Sequence, residues 1–207
     1  DYGYTHAVSY GYNRLSQVVT SAKTRTKDGK TTIEENTGGT INIYDKNNRL
    51  VYASMENKEQ SLTAAGELKK NADGTFVLNQ EYTVIIRVGN YAYTGAAGET
   101  VNVQNGYNEL DQIIRQQKKV IDGSKMTTES SMADIRYDNK NRTAYSHNAR
   151  SEQEVDSGLN IYDSTGDGII LNDVSFVETE ILTYSALGLI KEQRHKQQTG
   201  NLIVEDF

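Results

Sequence analysis

The 207-residue sequence contains no cysteine, no tryptophan and no proline. Without cysteine there can be no disulfide, no thiolate zinc site and no cysteine nucleophile. Average proline usage near 5% would give about ten prolines in this length, so their absence is the odder fact. A proline-free chain has no slow prolyl isomerisation to delay its folding, which suits a protein exported unfolded and folded at its destination. Compositional drift in one lineage is the competing account. Long apolar runs are missing as well: nothing approaches the roughly 20 residues of a membrane span, and no signal peptide is visible. Lysine and arginine number 22 against 28 aspartates and glutamates, for a formal net charge of -6. The basic residues form no stripe interleaved with aromatics, which argues against nucleic acid as a partner. The first residue is Asp rather than Met, as expected of a processed chain or an excised fragment.

What the sequence does contain is a second copy of part of itself. Tyr12-Asn13-Arg14-Leu15-Ser16-Gln17-Val18-Val19 returns as Tyr107-Asn108-Glu109-Leu110-Asp111-Gln112-Ile113-Ile114. Each copy runs on to an Asp-Gly pair, Asp28-Gly29 and Asp122-Gly123, and then to a Tyr-Asp turn. There Tyr44-Asp45-Lys46-Asn47-Asn48-Arg49 matches Tyr137-Asp138-Asn139-Lys140-Asn141-Arg142. A duplication at this spacing points to stacked modules, an architecture more typical of spacers and surfaces than of active sites. Hydrophobic residues make up only 36% of the chain, yet 14 tyrosines and alternating apolar segments argue for a folded, polar, β-rich protein.

In the repeated octet, Tyr12, Leu15 and Val19 fall at i, i+3 and i+7, as do Tyr107, Leu110 and Ile114. That spacing predicts a short amphipathic helix whose marked residues are core. Truncating Leu110 or Ile114 to Ala is then expected to cost about 2–5 kcal/mol. Residues 40–44 and 49–53 form a predicted hairpin across Asp45-Asn48, repeated by 133–137 and 142–146 and, with a longer loop, by 159–163 and 168–171. A further hairpin is expected between 81–88 and 91–94 across Gly89-Asn90. Residues 56–74 are the best candidate for a connection, 182–196 for a short helix, and 200–206 for a further strand. The resulting fold class is α+β: two tandem β-β-α-β-β-like units, antiparallel hairpins each packed on a short helix. The first unit spans 1–75 and lacks its opening strand; the second spans 76–207.

The order of helix, strand, Asp/Asn turn and strand, with Asn48-Arg49-Leu50-Val51-Tyr52-Ala53-Ser54 opening the last strand, resembles the hook-IN motif of flagellins, hook-associated proteins and the filament cap. Glu81 to Thr94 followed by Ala96-Ala97-Gly98-Glu99-Thr100 is also similar to the hairpin-helix units of phage tail-sheath and large adhesin proteins. The flagellar resemblance implies a non-enzymatic, extracellular structural domain on the bacterial surface, with neighbouring subunits or a host surface as partners. Its alternatives are a module of a large adhesin or phage tail protein, and a calcium-dependent binding module.

The calcium alternative rests on Asp163-Ser164-Thr165-Gly166-Asp167-Gly168, where Asp163, Thr165 and Asp167 stand at positions 1, 3 and 5 and Gly168 at 6. Hard cations need several oxygens, and this is how an EF-hand loop begins. The twelfth position is Val174, with Asp173 one residue early, so a plain hairpin loop competes with a calcium site. The three histidines, His6, His147 and His195, share no metal-ligand spacing. Glu109 with Asp111, and Glu152 with Glu154, are carboxylate pairs that read as solvated surface. No nucleophile elbow, phosphate loop or dinucleotide fingerprint occurs. No catalytic residue is therefore expected.

Overall fold

The computed structural model describes residues 5–94, 98–155, 170–200 and 202–206. Among these the chain is all-β, not α+β. The one helical segment is a 3-10 turn at Thr37–Gly39. In chain order the strands are β1 (Thr5–Tyr12), β2 (Val18–Lys27), β3 (Lys30–Asn36), β4 (Ile43–Tyr44), β5 (Leu50–Ser61), β6 (Leu78–Val88), β7 (Tyr91–Thr94) and β8 (Thr100–Val103). They continue as β9 (Gln116–Asp122), β10 (Lys125–Ser131), β11 (Arg136–Tyr137), β12 (Thr143–Glu154), β13 (Ile170–Tyr184), β14 (Ile190–Thr199) and β15 (Leu202–Asp206).

The chain divides into two compact units, Asp1–Ile86 with Val120–Gly123, and Arg87–Lys119 with Ser124–Phe207. In the first, strand order is β1-β2-β3-β5-β6 with β4 added beside β5. In the second it is β9-β10-β12-β13-β14-β15 with β11 beside β12, and β7-β8 form a separate two-stranded ribbon. The ladders β1–β2, β2–β3, β3–β5, β10–β12, β12–β13, β13–β14 and β14–β15 are antiparallel and join strands close in sequence.

The two predicted helices are tight turns instead. Asn13 donates its N–H to the Gln17 carbonyl and accepts from Ser16 N–H, so the chain reverses between β1 and β2. Asn108, Asp111 and Gln112 do the same. Ser16 (φ 60°) and Asp111 (φ 59°) occupy the left-handed region, which no helix interior tolerates. The helical spacing of Tyr12, Leu15 and Val19 was a coincidence of strand end, turn tip and strand start. Leu15 and Leu110 accordingly sit on turns at 71% and 76% exposure, so they are not core. The expected helix at 182–196 is likewise the end of β13, a turn at Ser185–Leu189 and the start of β14.

Two further expectations change. Residues 56–61 continue β5 and are followed by turns at 63–67 and 71–75, so the segment is structured rather than a bare connection. Gly89-Asn90 links β6 to β7, but β7 pairs with β8 in the register Tyr91↔Val103 and not with β6. The link is crowded: a Cβ on Gly106 would lie 2.4 Å from both the Gly89 nitrogen and the Val88 carbonyl carbon. Only two glycines allow the backbones to approach so closely. The hairpins at β4–β5 and β11–β12 and the closing strand β15 lie where the sequence put them.

The buried apolar set is small. In the second unit it comprises Val88, Tyr91, Val103, Met126, Ile135, Ala149 and Val155, accompanied by buried Gln117, Ser130 and Ser131. Most strand residues are half-exposed on both faces, which is how a chain this polar forms sheets without a thick core.

Gly106→Ala is expected to lower unfolding stability by more than about 3 kcal/mol because backbone must move, whereas Leu110→Ala should stay within about 0.5 kcal/mol of wild type. Urea denaturation of both variants checks the pair, and equal effects would mean that the turn tip and the glycine contact are misplaced.

Candidate functional site

Among the described residues seven chain reversals share one hydrogen-bond pattern, beginning at Asn13, Asp45, Thr63, Asn71, Asn108, Asp138 and Ser185. In each, the first residue donates its N–H to the carbonyl four residues on and accepts from the N–H three residues on. The fourth residue is left-handed every time: Ser16, Asn48, Gly66, Gly74, Asp111, Asn141 and Gly188. This is the three-residue hairpin loop, a type I turn followed by a left-handed bulge residue. The first residue is Asn, Asp, Ser or Thr, and at Asn13, Asp45, Thr63, Asn108, Asp138 and Ser185 its side-chain oxygen accepts backbone N–H groups at the turn. The Asn13 Oδ1 accepts from Leu15 and Gln17 N–H at 2.9 and 3.1 Å, and the Asn108 Oδ1 from Leu110 and Gln112 at 2.9 and 3.0 Å.

In both copies two such turns are clasped together by side chains. Gln17 Nε2 donates to Asn48 Oδ1 at 3.1 Å, and Gln112 Nε2 to Asn141 Oδ1 at 3.0 Å. The Tyr44 hydroxyl donates to the Val18 carbonyl at 2.8 Å, and that of Tyr137 to Ile113 at 2.6 Å. Asn42 N–H donates to the Val19 carbonyl, and Ile135 N–H to that of Ile114, at 2.8 and 2.9 Å. A side-chain oxygen one strand over, from Asn36 or Ser131, accepts from Ser21 or Gln116 N–H. The repeat seen in the sequence is thus a repeat of atomic contacts.

Partners across the turn are matched in charge. Asn13 and Asn108 donate to the side chains of Gln17 and Gln112, whereas Asp45 and Asp138 bind Arg49 and Arg142, each Nε donating at 2.7 Å. The Arg142 guanidinium, followed by backbone donors, holds the Asp138 carboxyl at about 2, against a mild opposing push from burial. For Asp45, burial pushes upward, yet Arg49 and the backbone N–H groups of Arg49 and Asn47 outweigh it, and the net direction is down. Arg142 also lies over the Tyr184 ring, 3.8 Å from its centre.

Of the expected metal ligands, Asp163, Thr165 and Asp167 lie outside the described residues, and Asp173 falls in β13 where only its strand position is described. Among the described residues no group of three His, Asp or Glu side chains is placed to hold a metal ion, and no helix is long and apolar enough to cross a membrane. His147 stands opposite Glu178 and His195 opposite Thr179, adjacent positions of β13 that face opposite ways, so these histidines do not meet. Glu152 bonds Arg150 and Lys125, and Glu109 and Asp111 sit on an exposed turn. Tyr91 is buried, with its hydroxyl donating to the Ser131 carbonyl at 3.1 Å, and burial pushes its pKa to about 12. Nothing in this inventory joins a nucleophile to a base.

Comparison with protein-family models, with curated proteins and with solved structures finds no match. The clasp was missed in the sequence because its turn residues were assigned to helices. The signal was present: Asn, Asp, Ser or Thr followed three residues later by Gly, Asn, Asp or Ser, between apolar stretches.

Because the fold favours ionised Asp138, the stability it contributes is complete above the unfolded carboxyl pKa of about 3.9 and is lost as pH falls toward 2. Asp138→Asn retains an acceptor for the turn but not the ion pair. It is expected to flatten the pH dependence of the urea midpoint between about 4 and 2, and Asp138→Asn with Arg142→Gln should recover stability by reproducing the Asn108–Gln112 pair. A midpoint that falls with acid as steeply as wild type would remove Asp138 from this role. Ser16→Gly should raise stability by about 0.5–1 kcal/mol by relieving the left-handed strain, read by the same denaturation.

Proposed function

We propose that this chain is a non-enzymatic structural module of an extracellular or bacterial-surface protein, in which repeated clasped hairpins supply length, spacing and lateral contact. The observation that supports this best is the recurrence of the whole clasp, Tyr, Asn-Gln turn and Asp-Arg turn alike, at two places in one chain. Catalytic sites are unique constellations, whereas an element present twice with the same contacts performs a task that repetition serves. Neighbouring protein subunits or a host surface are its expected partners.

Within this class the parent is either a flagellar hook-associated, cap or filament protein or a large adhesin or phage tail protein. Both likenesses depended on a helix beside a hairpin, and that segment is a turn, so the repeat of contacts rather than either likeness supports the class. A third octet-like turn, Tyr184-Ser185-Ala186-Leu187-Gly188-Leu189-Ile190, adds to the tandem character.

Removing the segment that encodes residues 1–207 in the producing cell should alter attachment or assembly while leaving every enzymatic activity of the preparation intact. Loss of a measurable catalytic activity upon that removal would overturn the structural reading.

A further inference from the structure

A cavity of about 190 Å³ in the second unit has β7, β9, β10, β12 and the start of the described part of β13 as its walls. Its floor alternates small and polar side chains. Gln117 and Lys119 point to one face of β9, and on the same face follow Thr128 and Ser130 of β10 and Ser151 of β12, the last opposite Thr128 in the ladder. Gln117 is 5% exposed, and its Nε2 is committed to the Ala92 carbonyl at 3.0 Å and the Ser130 hydroxyl at 2.9 Å. It therefore fixes the β7 strand as one wall and orients the Ser130 hydroxyl.

Lys119 is the unusual member. Several half-exposed cations of this acidic chain are paired: Lys23 with Glu34, Lys30 with Glu59, Arg115 with Asp134, Lys125 and Arg150 with Glu152. Lys119 is half-buried, lines the cavity, and has neither a carboxylate nor a hydrogen-bond partner among the described residues. Burial, and then repulsion from Arg87, depress its pKa. Among the described residues no aspartate or glutamate lines the cavity. Arg150, which also borders it, pairs with Glu152 two residues on, and in the strand's alternation these two stand on the opposite face from Ser151. Burying an ammonium without a counter-charge is costly, and a fold that retains one in a polar cavity presents a site for the missing anion.

We infer that this cavity binds an oxyanion group, a sulfate or a carboxylate borne by a small molecule or acidic saccharide, with the Lys119 ammonium as its counter-charge and the Ser130 and Thr128 hydroxyls as neutral donors. The volume suits one such group with a few waters and is below that of a drug-sized ligand pocket. This goes beyond a passive scaffold, since a surface module with such a site recognises acidic material.

The test uses the full chain in two-dimensional amide NMR, titrated with sodium sulfate and separately with sodium acetate, ionic strength being held constant with sodium chloride. Saturable, millimolar shifts centred on Gln117, Lys119 and Ser130 are expected, and the stronger of the two salts identifies sulfate or carboxylate as the preferred group. Lys119→Met should weaken binding at least tenfold, and Lys118→Met, on the opposite face of β9, should not change it. A second reading needs no variant: the Lys119 side-chain titration midpoint of the wild-type chain should rise when the anion is saturating. Shifts that grow linearly with salt, binding that persists in Lys119→Met, or an unchanged Lys119 midpoint would each overturn the assignment.

Discussion

A chain can be reversed in three residues only if one of them accepts a left-handed backbone, and everything else in this protein follows from how that requirement is met. Gly66, Gly74 and Gly188 meet it without a side chain, while Ser16, Asn48, Asp111 and Asn141 adopt it despite having one. The cost of the latter is offset by an oxygen three residues earlier that accepts backbone N–H groups. Turn length then sets strand register, and register decides which side chains share a face. Tyr44 and Tyr137 reach Val18 and Ile113 only because both turns that frame them have the same length.

The charge pairing across these turns shows how one backbone device supports two chemistries. Asn with Gln makes a neutral clasp indifferent to acid, whereas Asp with Arg makes one that acid weakens. Each copy holds one of each, side by side and joined by the Gln17–Asn48 or Gln112–Asn141 contact. Against that background of matched partners, Lys119 is conspicuous because among the described residues its surroundings offer hydroxyls and an amide but no carboxylate.

Much of this was legible in the sequence, and what was not has identifiable causes. The duplication, the Asp45 and Asp138 hairpins and the closing strand 202–206 were readable from turn residues and β-propensity. The fold class was not, because Tyr12-Leu15-Val19 satisfies a helical period as well as it satisfies a strand end, a turn tip and a strand start. Length should arbitrate: eight residues with Asn at the second position and Ser or Asp at the fifth fit a turn better than two helical turns. Strand alternation was also faint, since residues of β2 and β5 are half-exposed on both faces. Lys119 carries no sequence signal, because Lys118 beside it is chemically identical and only the strand's pleat distinguishes them. The candidate calcium loop at 163–173 falls largely outside the described residues.

Strand order has a mechanical corollary. In the first unit β1 bonds β2, β2 bonds β3 and β3 bonds β5, while in the second β12, β13, β14 and β15 follow in unbroken succession. Because these ladders join strands close along the chain, each pairing depends chiefly on its immediate neighbours, as in other repetitive architectures. Such a material yields by peeling, one hairpin after another, and re-zips from any hairpin left intact.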